Sequence, residues 1–289
     1  MKITRHSNSE YCIESLPENF HENNTLRFSP LLITQETKNW KLLKKWSEAF
    51  FVEKYGDKKI PTRKSLPYEM TRKNGGVYGN STIRDYFEYC NIQKEKYPYY
   101  LDNWQFALDY PELLEDYSIP KAFKSWHRMF SNEIREELRW IFFGAENSGS
   151  PMHVDVHMTS AWNVIVSGKK MWKFFRPRYK QNVYEGNVDA FNPDYIKYPL
   201  FKEIESIVIE QNPGDIVYTP PGWWHQVRNL KKGISLTENF VNMSNWKVVY
   251  KFHEMKSFVC PNSKIWAESI LNSYQESETK TKNKTHSKQ

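Results

Sequence analysis

The first half of the chain places its apolar residues at three- and four-residue steps, the spacing of amphipathic helices. Residues 39–56 are apolar at positions 40, 43, 46, 49 and 50, which predicts a helix that ends at Gly56. Residues 81–93 repeat the pattern after Ser81, a residue suited to cap a helix N-terminus. A shorter helix is predicted before Ile119-Pro120, because a residue that precedes proline leaves the helical region.

From residue 139 the pattern changes to short apolar runs separated by turns. Turn signals such as Pro213-Gly214 and Lys232-Gly233 stand between several of these runs. The predicted strands are residues 139–145, 152–158, 161–168, 171–177, 204–211, 215–221, 225–230 and 234–241. About eight short strands after a helical portion indicate a mainly β fold, a small barrel or jelly roll with helices around it.

No internal repeat or Gly/Ser-rich linker divides the chain, so one domain with flanking segments is expected. A helix predicted at 262–275 is expected to pack on this domain, with a homodimer contact as the alternative. The expected segments are a polar N-terminal stretch (1–24), a helical part that packs on the barrel (25–135), the barrel core (136–245), a C-terminal helical segment (246–276) and a disordered basic tail (277–289).

The composition of the 289 residues is that of a packed globular body. Aromatic residues make up 16% of the chain, which argues against disorder and for aromatic-lined clefts. No apolar run approaches the length of a membrane span, and the N-terminus lacks the apolar core of a secretory signal. The three cysteines are not spaced as metal ligands and are interpreted as free thiols. A reducing compartment follows, the cytoplasm first and the nucleus as the alternative.

The net charge of +7 is concentrated at one end of the chain. Residues 279–289 contain four lysines and no acidic residue. We interpret this segment as a solvated end, with weak non-specific nucleic-acid binding as the alternative. The overall charge therefore does not decide the function.

Three polar residues alternate in the predicted strand 152–158, and they suggest a metal site. His153, Asp155 and His157 would share one face of a strand. Residues i and i+4 of a strand lie about 13 Å apart, so His153 and His157 would barely reach a common ion, whereas His153 and Asp155 chelate easily. We therefore expect the third ligand to come from another strand, and His225 follows a rigid Pro-Pro-Gly turn.

Two histidines and one carboxylate form the facial triad of non-haem Fe(II) oxygenases, which leaves positions open for a 2-oxoacid and O₂. A His-X-Asp sequence alone is common, and a solvated surface strand is the alternative for His153 and Asp155. Lys170 begins the next predicted strand, where it could meet the distal carboxylate of 2-oxoglutarate or be an ordinary exposed lysine. Thr237 could supply a hydroxyl from a neighbouring strand or belong to a cross-strand pair.

Several motifs in order resemble a known family. They are HVD, TSAWN, SGKKMW, PGDIVYTPPGWWHQVRNL and SLTENF. Together they resemble the JmjC (jumonji, cupin-type) family of Fe(II)- and 2-oxoglutarate-dependent oxygenases, most of all its phosphatidylserine-receptor-like branch of arginine demethylases and lysyl hydroxylases. The resemblance covers roughly residues 28–245. It implies a mainly β fold, a double-stranded β-helix (jelly-roll or cupin) barrel with N-terminal helices and a C-terminal helix.

The resemblance also implies roles for individual residues. His153, Asp155 and His225 would bind Fe(II), and Lys170 would pair with the C5 carboxylate of 2-oxoglutarate. The remaining cosubstrate residues would be Asn163, Thr237, Ser150 and Tyr100. Ser150 stands where the branch usually has threonine, and Tyr99 is the rival of Tyr100. The segment VHM at 156–158 departs from the usual Pro-Leu-Gly, so we expect His157 either to contact substrate or to face solvent.

The activity that the resemblance implies is hydroxylation with Fe(II), 2-oxoglutarate and O₂. The leading substrate is a lysine or arginine side chain in a protein or peptide. Such a substrate predicts acidic residues at the pocket entrance, for which 112–117 and 185–195 are candidates. The alternatives are N-methyl demethylation, nucleoside hydroxylation in RNA and a catalytically silent cupin-like binding module. The intact triad and Lys170 argue against the silent module.

Overall fold

The computed structural model describes residues 11–66, 78–130 and 137–286. A jelly-roll barrel forms its centre, and ten strands are found in the described residues. The strands are β1 (Cys12–Ile13), β2 (Leu31–Ile33), β3 (Lys59–Lys64), β4 (Tyr78–Thr82), β5 (Tyr99–Trp104), β6 (Arg139–Gly144), β7 (Ser160–Phe175), β8 (Ile207–Gln211), β9 (Ile216–Thr219) and β10 (Trp224–Phe240). Their hydrogen-bonded order is β1-β2-β9-β7-β10-β6-β5-β3-β4, with β8 paired to β7.

The barrel arises because two long strands each belong to both of its sheets. The first half of β7 pairs with β9 and with the second half of β10, whereas the second half of β7 pairs with β8 and with the first half of β10. Four of the predicted short strands are therefore the halves of two bent ones. A space remains between the two sheets, and the candidate site lies in it.

Glycines permit the bend where β7 and β10 cross. Gly168 has φ of 87°, and the register shifts on both sides of Lys231. A Cβ atom on Gly168 would lie 2.5 Å from the carbonyl oxygen of Lys232, and one on Gly233 would lie 2.0 Å from that of Ser167. The two backbones can approach this closely only because neither glycine carries a side chain.

The N-terminal part contains more β structure than the apolar spacing predicts. Strands β2 to β5 lie within 25–135 and extend the main sheet on both sides. The predicted helix 39–56 is two helices, because the Ser47 hydroxyl accepts a hydrogen bond from Phe50 N and begins the second one. The N-terminal helices are α1 (Asn24–Arg27), α2 (Leu42–Lys45), α3 (Glu48–Tyr55) and α4 (Ile83–Ile92). A 3-10 helix at Pro111–Asp116 replaces the third predicted helix.

The segment 152–158 is not the strand that its alternation predicts. Only His153 forms a β-bridge, to His225, and Val156–Met158 is a 3-10 turn in which His157 is left-handed. His153 and His157 therefore do not share the face of a strand. Local turn hydrogen bonds from Met158 N to Asp155 O and from Thr159 N to Val156 O explain the difference, because they replace the ladder that a strand would need.

Two helices follow the barrel, α5 (Trp246–Lys256) and α6 (Pro261–His286), and they pack on each other. Trp266 and Ile270 of α6 are buried in one cluster with Phe130 and Leu138. Helix α6 extends to His286 and so includes most of the stretch 277–289 for which a disordered tail is predicted; residues 287–289 lie outside the described ranges. The i,i+4 ion pair Glu276–Lys280 is consistent with this longer helix. None of the helices in the described ranges is long and apolar enough to cross a membrane.

Candidate functional site

The structure brings His153, Asp155 and His225 together in the space between the sheets. One potential ligand atom from each residue lies within 4.8 Å of the others. His225 lies at the start of β10, and the backbone bridge to His153 holds the two imidazoles 4.1 Å apart between centroids. Asp155 lies two residues after His153, at the beginning of the 3-10 turn. These three residues form part of the wall of a cavity of about 430 Å³.

Hydrogen bonds orient both imidazoles toward the centre of the trio. The Nδ1 atom of His153 lies 2.7 Å from the carbonyl oxygen of Pro151, and that of His225 lies 3.1 Å from the carbonyl oxygen of Trp223. A carbonyl oxygen can only accept, so each Nδ1 carries the proton and each Nε2 keeps a lone pair. This is the arrangement in which neutral histidines bind metals.

The charges of the trio also suit a cation. Burial and then the neighbouring His225 lower the pKa of His153 to about 4, and burial lowers the pKa of His225 to about 4, so both are neutral at pH 7. Burial raises the pKa of Asp155, and the neighbouring His153 and the Asn239 side chain oppose this rise. The Oδ2 atom of Asp155 is buried without a hydrogen-bond partner. A divalent ion would provide this missing partner, so the residues present fit a metal.

Lys170 lies in the same cavity, and the residue is almost fully buried, at 3% exposure. Its Nζ donates to Ser235 Oγ at 2.6 Å and to Tyr100 Oη at 3.3 Å. In the part of the chain that the structure describes, no carboxylate lies within ion-pair distance of this Nζ. A buried cation with only neutral partners favours an anionic ligand. Ser235 was not among the predicted site residues, although its alternation with Thr237 on one face is visible in the sequence.

The other predicted cosubstrate residues also line the cavity. Asn163 Nδ2 donates to Thr237 Oγ1 at 2.6 Å across the β7–β10 ladder, and Asn163 Oδ1 is buried without a partner. Ser150 and Tyr100 are also lining residues. Tyr99 instead contacts Tyr89 and Lys64 away from the cavity, so the geometry favours Tyr100 over its rival.

The outer part of the cavity contains residues that sequence reasoning missed. The guanidinium of Arg63 on β3 donates to the Asp102 carboxylate on β5, with Nε 2.5 Å from Oδ2. Trp140 and the exposed Tyr78 also line the cavity. The β3 sequence KIPTRK has no apolar alternation that would mark Arg63 as a site residue, so the folded structure was needed to find it.

Neither acidic segment proposed for the entrance lines this cavity. Asp116, from the first segment, is buried beside Lys45 and Trp46. Asp189, from the second, accepts a hydrogen bond from Gln226. Asp102 is therefore the carboxylate of the outer cavity among the described residues.

His157 is half-buried and packs against the C-terminal helices. Its ring packs against His253 of α5 and Trp266 of α6, with centroid distances of 5.1 and 4.7 Å, and it does not line the cavity. The sequence pattern could not reveal this contact, because it joins residues about one hundred positions apart.

A jelly-roll barrel with a His-Asp-His facial triad and a buried lysine in one cavity defines the class of cupin-type, metal-dependent oxygenases. Known proteins agree with this class. A model of the cupin-like domain family matches residues 17–248. A lysine-specific demethylase, JMJ21 of Arabidopsis thaliana, is 31% identical over 76% of this chain and 24% of its own length.

Two further relatives connect the chain to the same chemistry. The bifunctional arginine demethylase and lysyl-hydroxylase psr-1 of Caenorhabditis elegans is 27% identical over 76% of this chain and 58% of its own length. The 2-oxoglutarate and iron-dependent oxygenase JMJD4 of Mus musculus is 28% identical over 75% of this chain and 56% of its own length. The chain belongs to the cupin-like JmjC family of iron- and 2-oxoglutarate-dependent oxygenases. It spans between 24% and 58% of the length of these relatives.

Proposed function

We propose that this protein is an Fe(II)- and 2-oxoglutarate-dependent oxygenase that hydroxylates a lysine or arginine side chain of a protein or peptide. The observation that carries the proposal is the convergence of His153, Asp155 and His225 in one cavity. The same cavity holds the buried ammonium group of Lys170, whose hydrogen-bond partners are neutral hydroxyl groups. When bound, Fe(II) and 2-oxoglutarate supply, with O₂, the oxidising power to insert one oxygen atom into a substrate C–H bond, while 2-oxoglutarate becomes succinate and CO₂.

The chain's own residues would do the positioning. The two histidines and Asp155 would hold the metal on one face, with each Nδ1 proton held by a backbone carbonyl. Lys170 would pair with the distal carboxylate of the cosubstrate. His225 pairs with Phe174 on β7, four residues from Lys170, so the backbone positions of the metal ligand and of the lysine lie about 13 Å apart along the strand. This leaves room between them for a short dicarboxylate.

The outer cavity supports a cationic substrate side chain. Asp102 accepts from Arg63 through Oδ2, and Trp140 and the exposed Tyr78 line the same cavity. A carboxylate and aromatic faces are the groups that attract an ammonium or guanidinium group. N-methyl demethylation is the same C–H hydroxylation at a methyl group, and the names of the relatives JMJ21 and psr-1 include demethylase.

Succinate release tests the oxygenase proposal without knowledge of the substrate. The wild-type protein with Fe(II) and 2-oxoglutarate is expected to form succinate slowly, and Asp155→Ala is expected to abolish this because it removes a metal ligand. Asp109→Ala is the matched control, since this exposed carboxylate pairs with Lys58 and does not line the cavity. Equal succinate formation by wild type and Asp155→Ala would contradict the role of Asp155 as a metal ligand.

Mass spectrometry tests the substrate class. Cell lysate peptides and nucleosides are incubated with the protein, Fe(II) and 2-oxoglutarate, and products heavier by one oxygen atom are sought. Oxidised lysine or arginine supports the proposal, and formaldehyde release from methylated peptides identifies demethylation. Oxidised nucleosides, together with a salt-sensitive tRNA complex that is lost on deletion of 279–289, would replace the protein substrate with RNA.

A further inference from the structure

The loop that carries Asp155 has an unfavourable backbone conformation. His157 and Met158 have φ of 55° and 56°, in the left-handed region that residues with a Cβ atom rarely adopt. Such conformations persist only where the surroundings determine them, and they concentrate at functional sites. The loop therefore needs contacts that hold it in this shape.

Local hydrogen bonds account for part of this restraint. Met158 N and Thr159 N donate back to the carbonyl oxygens of Asp155 and Val156, and the Thr159 hydroxyl donates to Val156 O at 2.7 Å. Asn239 Nδ2 donates to Thr159 Oγ1 at 3.0 Å. These bonds close the turn from the side of β7 and β10. They do not involve the ring of His157.

The ring of His157 is held from the opposite side by the C-terminal helices. His157, His253 and Trp266 form three nearly parallel rings, with pairwise centroid distances of 4.7 to 5.1 Å and interplanar angles of 6° to 23°. His253 and Trp266 are each 2% exposed. His253 Nδ1 lies 3.2 Å from Ser263 Oγ, and Trp266 packs edge-on against Phe130. The loop thus contacts a buried part of the helix pair.

We propose that α5 and α6 position the metal ligand Asp155 through the contact of His157 with His253 and Trp266. This inference rests on the proposed function, because it takes Asp155 as a ligand. His253 and Trp266 are positioning residues, since they act through a loop two residues beyond Asp155 and line no part of the cavity. Loss of the ring contact would let the loop relax and would displace the carboxylate from the two imidazoles. Supporting contacts of this kind commonly change metal affinity.

Mn(II) binding by the full chain measures this effect, by calorimetry or by the EPR signal of free Mn(II). His253→Ala is expected to weaken Mn(II) binding about tenfold, the low end of the range for contacts that support metal ligands. His253→Phe retains a flat ring and is expected to restore most of the affinity. Tyr274→Ala is the matched control, because it removes a ring stacked on Trp246 at 4.2 Å in the same helix pair. It is expected to lower thermal stability but to leave Mn(II) affinity unchanged.

Other patterns of Mn(II) affinity among the variants would overturn the inference. Wild-type affinity in His253→Ala, or equal weakening in His253→Ala and Tyr274→Ala, would show that the helices do not act through this contact. Equal weakening in His253→Ala and His253→Phe would exclude the ring as the cause. If His253→Ala does not fold, His157→Asn replaces it, since asparagine tolerates the left-handed backbone but lacks the ring, and unchanged affinity then contradicts the inference. Failure of the wild type itself to bind Mn(II) would instead count against the proposed oxygenase.

Discussion

Lys170 shows how burial prepares a single residue for a ligand. Burial lowers the pKa of this ammonium group to about 7, and Asp102 partly opposes the shift. The unfolded chain therefore binds more protons than the folded chain between pH 7 and the ordinary lysine pKa of 10.5. In this window the contribution of Lys170 makes the free energy of unfolding rise with pH. An anion that pairs with Lys170 would favour the protonated form and so bind best below this window.

The Michaelis constant for 2-oxoglutarate is expected to depend on pH through this lysine. Below pH 7 it should be flat, and above pH 7 it should rise by up to about tenfold per pH unit, because binding must then take up a proton. His153 and His225 are already neutral in this range and do not contribute. Succinate formation at varied 2-oxoglutarate concentration from pH 6 to about pH 9 measures the profile.

Lys170→Arg is the control for this profile. A guanidinium group stays protonated throughout the range, so the variant should bind 2-oxoglutarate less well but show no break near pH 7. A Michaelis constant that does not change with pH in the wild type would contradict the lowered pKa of Lys170 in the ligand-free cavity.

At the scale of elements, the bend in β7 and β10 determines where the site can form. The first half of β10 carries His225, and the second half carries Ser235 and Thr237. The same crossing places Lys170 and Asn163 of β7 on different sheets. Without the bend, the metal ligands and the cosubstrate residues would lie on one flat sheet and could not enclose a cavity.

Two glycine substitutions separate the cost of a left-handed backbone from the cost of the close approach of the strands at Gly168. Gly214→Ala is expected to cost about 1–2 kcal/mol, since its φ is 90° but the nearest atom to a new Cβ is 3.5 Å away. Gly168→Ala has a similar φ, and its Cβ would also meet Lys232 O at 2.5 Å, so it should cost about 1–3 kcal/mol more. Urea unfolding measures both values. Equal losses would mean that the close approach of the strands adds nothing to the cost.

At the scale of the whole molecule, the cavity is assembled from parts that are distant in sequence. Its walls combine the β3–β4 hairpin, β5, the loop after residue 149 and both barrel sheets. Helices α5 and α6 contact this loop from outside. A ligand in the cavity would therefore join several elements at once and stabilise the folded chain as a unit.

Ligand-dependent melting is expected to reveal this coupling. At about one hundred times its dissociation constant, each ligand adds about 2.7 kcal/mol of stability, which raises the Tm by roughly 5 °C or more. Mn(II) should raise the Tm of the wild type, and 2-oxoglutarate should raise it further. Lys170→Met should keep the first rise and lose the second. Lys169→Met is the control, because Lys169 pairs with Glu210 outside the cavity and should keep both rises.

The mainly β character of the barrel region and the residue types of the site could be predicted from sequence alone. Periodicity identified strands from residue 139 onward and the buried face of α4, because a strand or helix in contact with a core must repeat its apolar residues at fixed steps. The residue types of the triad, Lys170, Asn163 and Thr237 could be selected because few side chains bind a metal or an anionic ligand. The family agrees with that chemistry, and the roles of the individual residues remain proposals.

Only the tertiary structure decided how these parts meet. It joined four predicted strands into two bent ones, turned 152–158 into a loop and added β3 to β5 to the sheet. It also placed His157 against His253 and Trp266, and Arg63 and Asp102 in the outer cavity. Local periodicity records which face of a segment is buried but not which distant segment buries it. Contacts across one hundred residues depend on the packing of the whole chain, and those contacts set the geometry of the site.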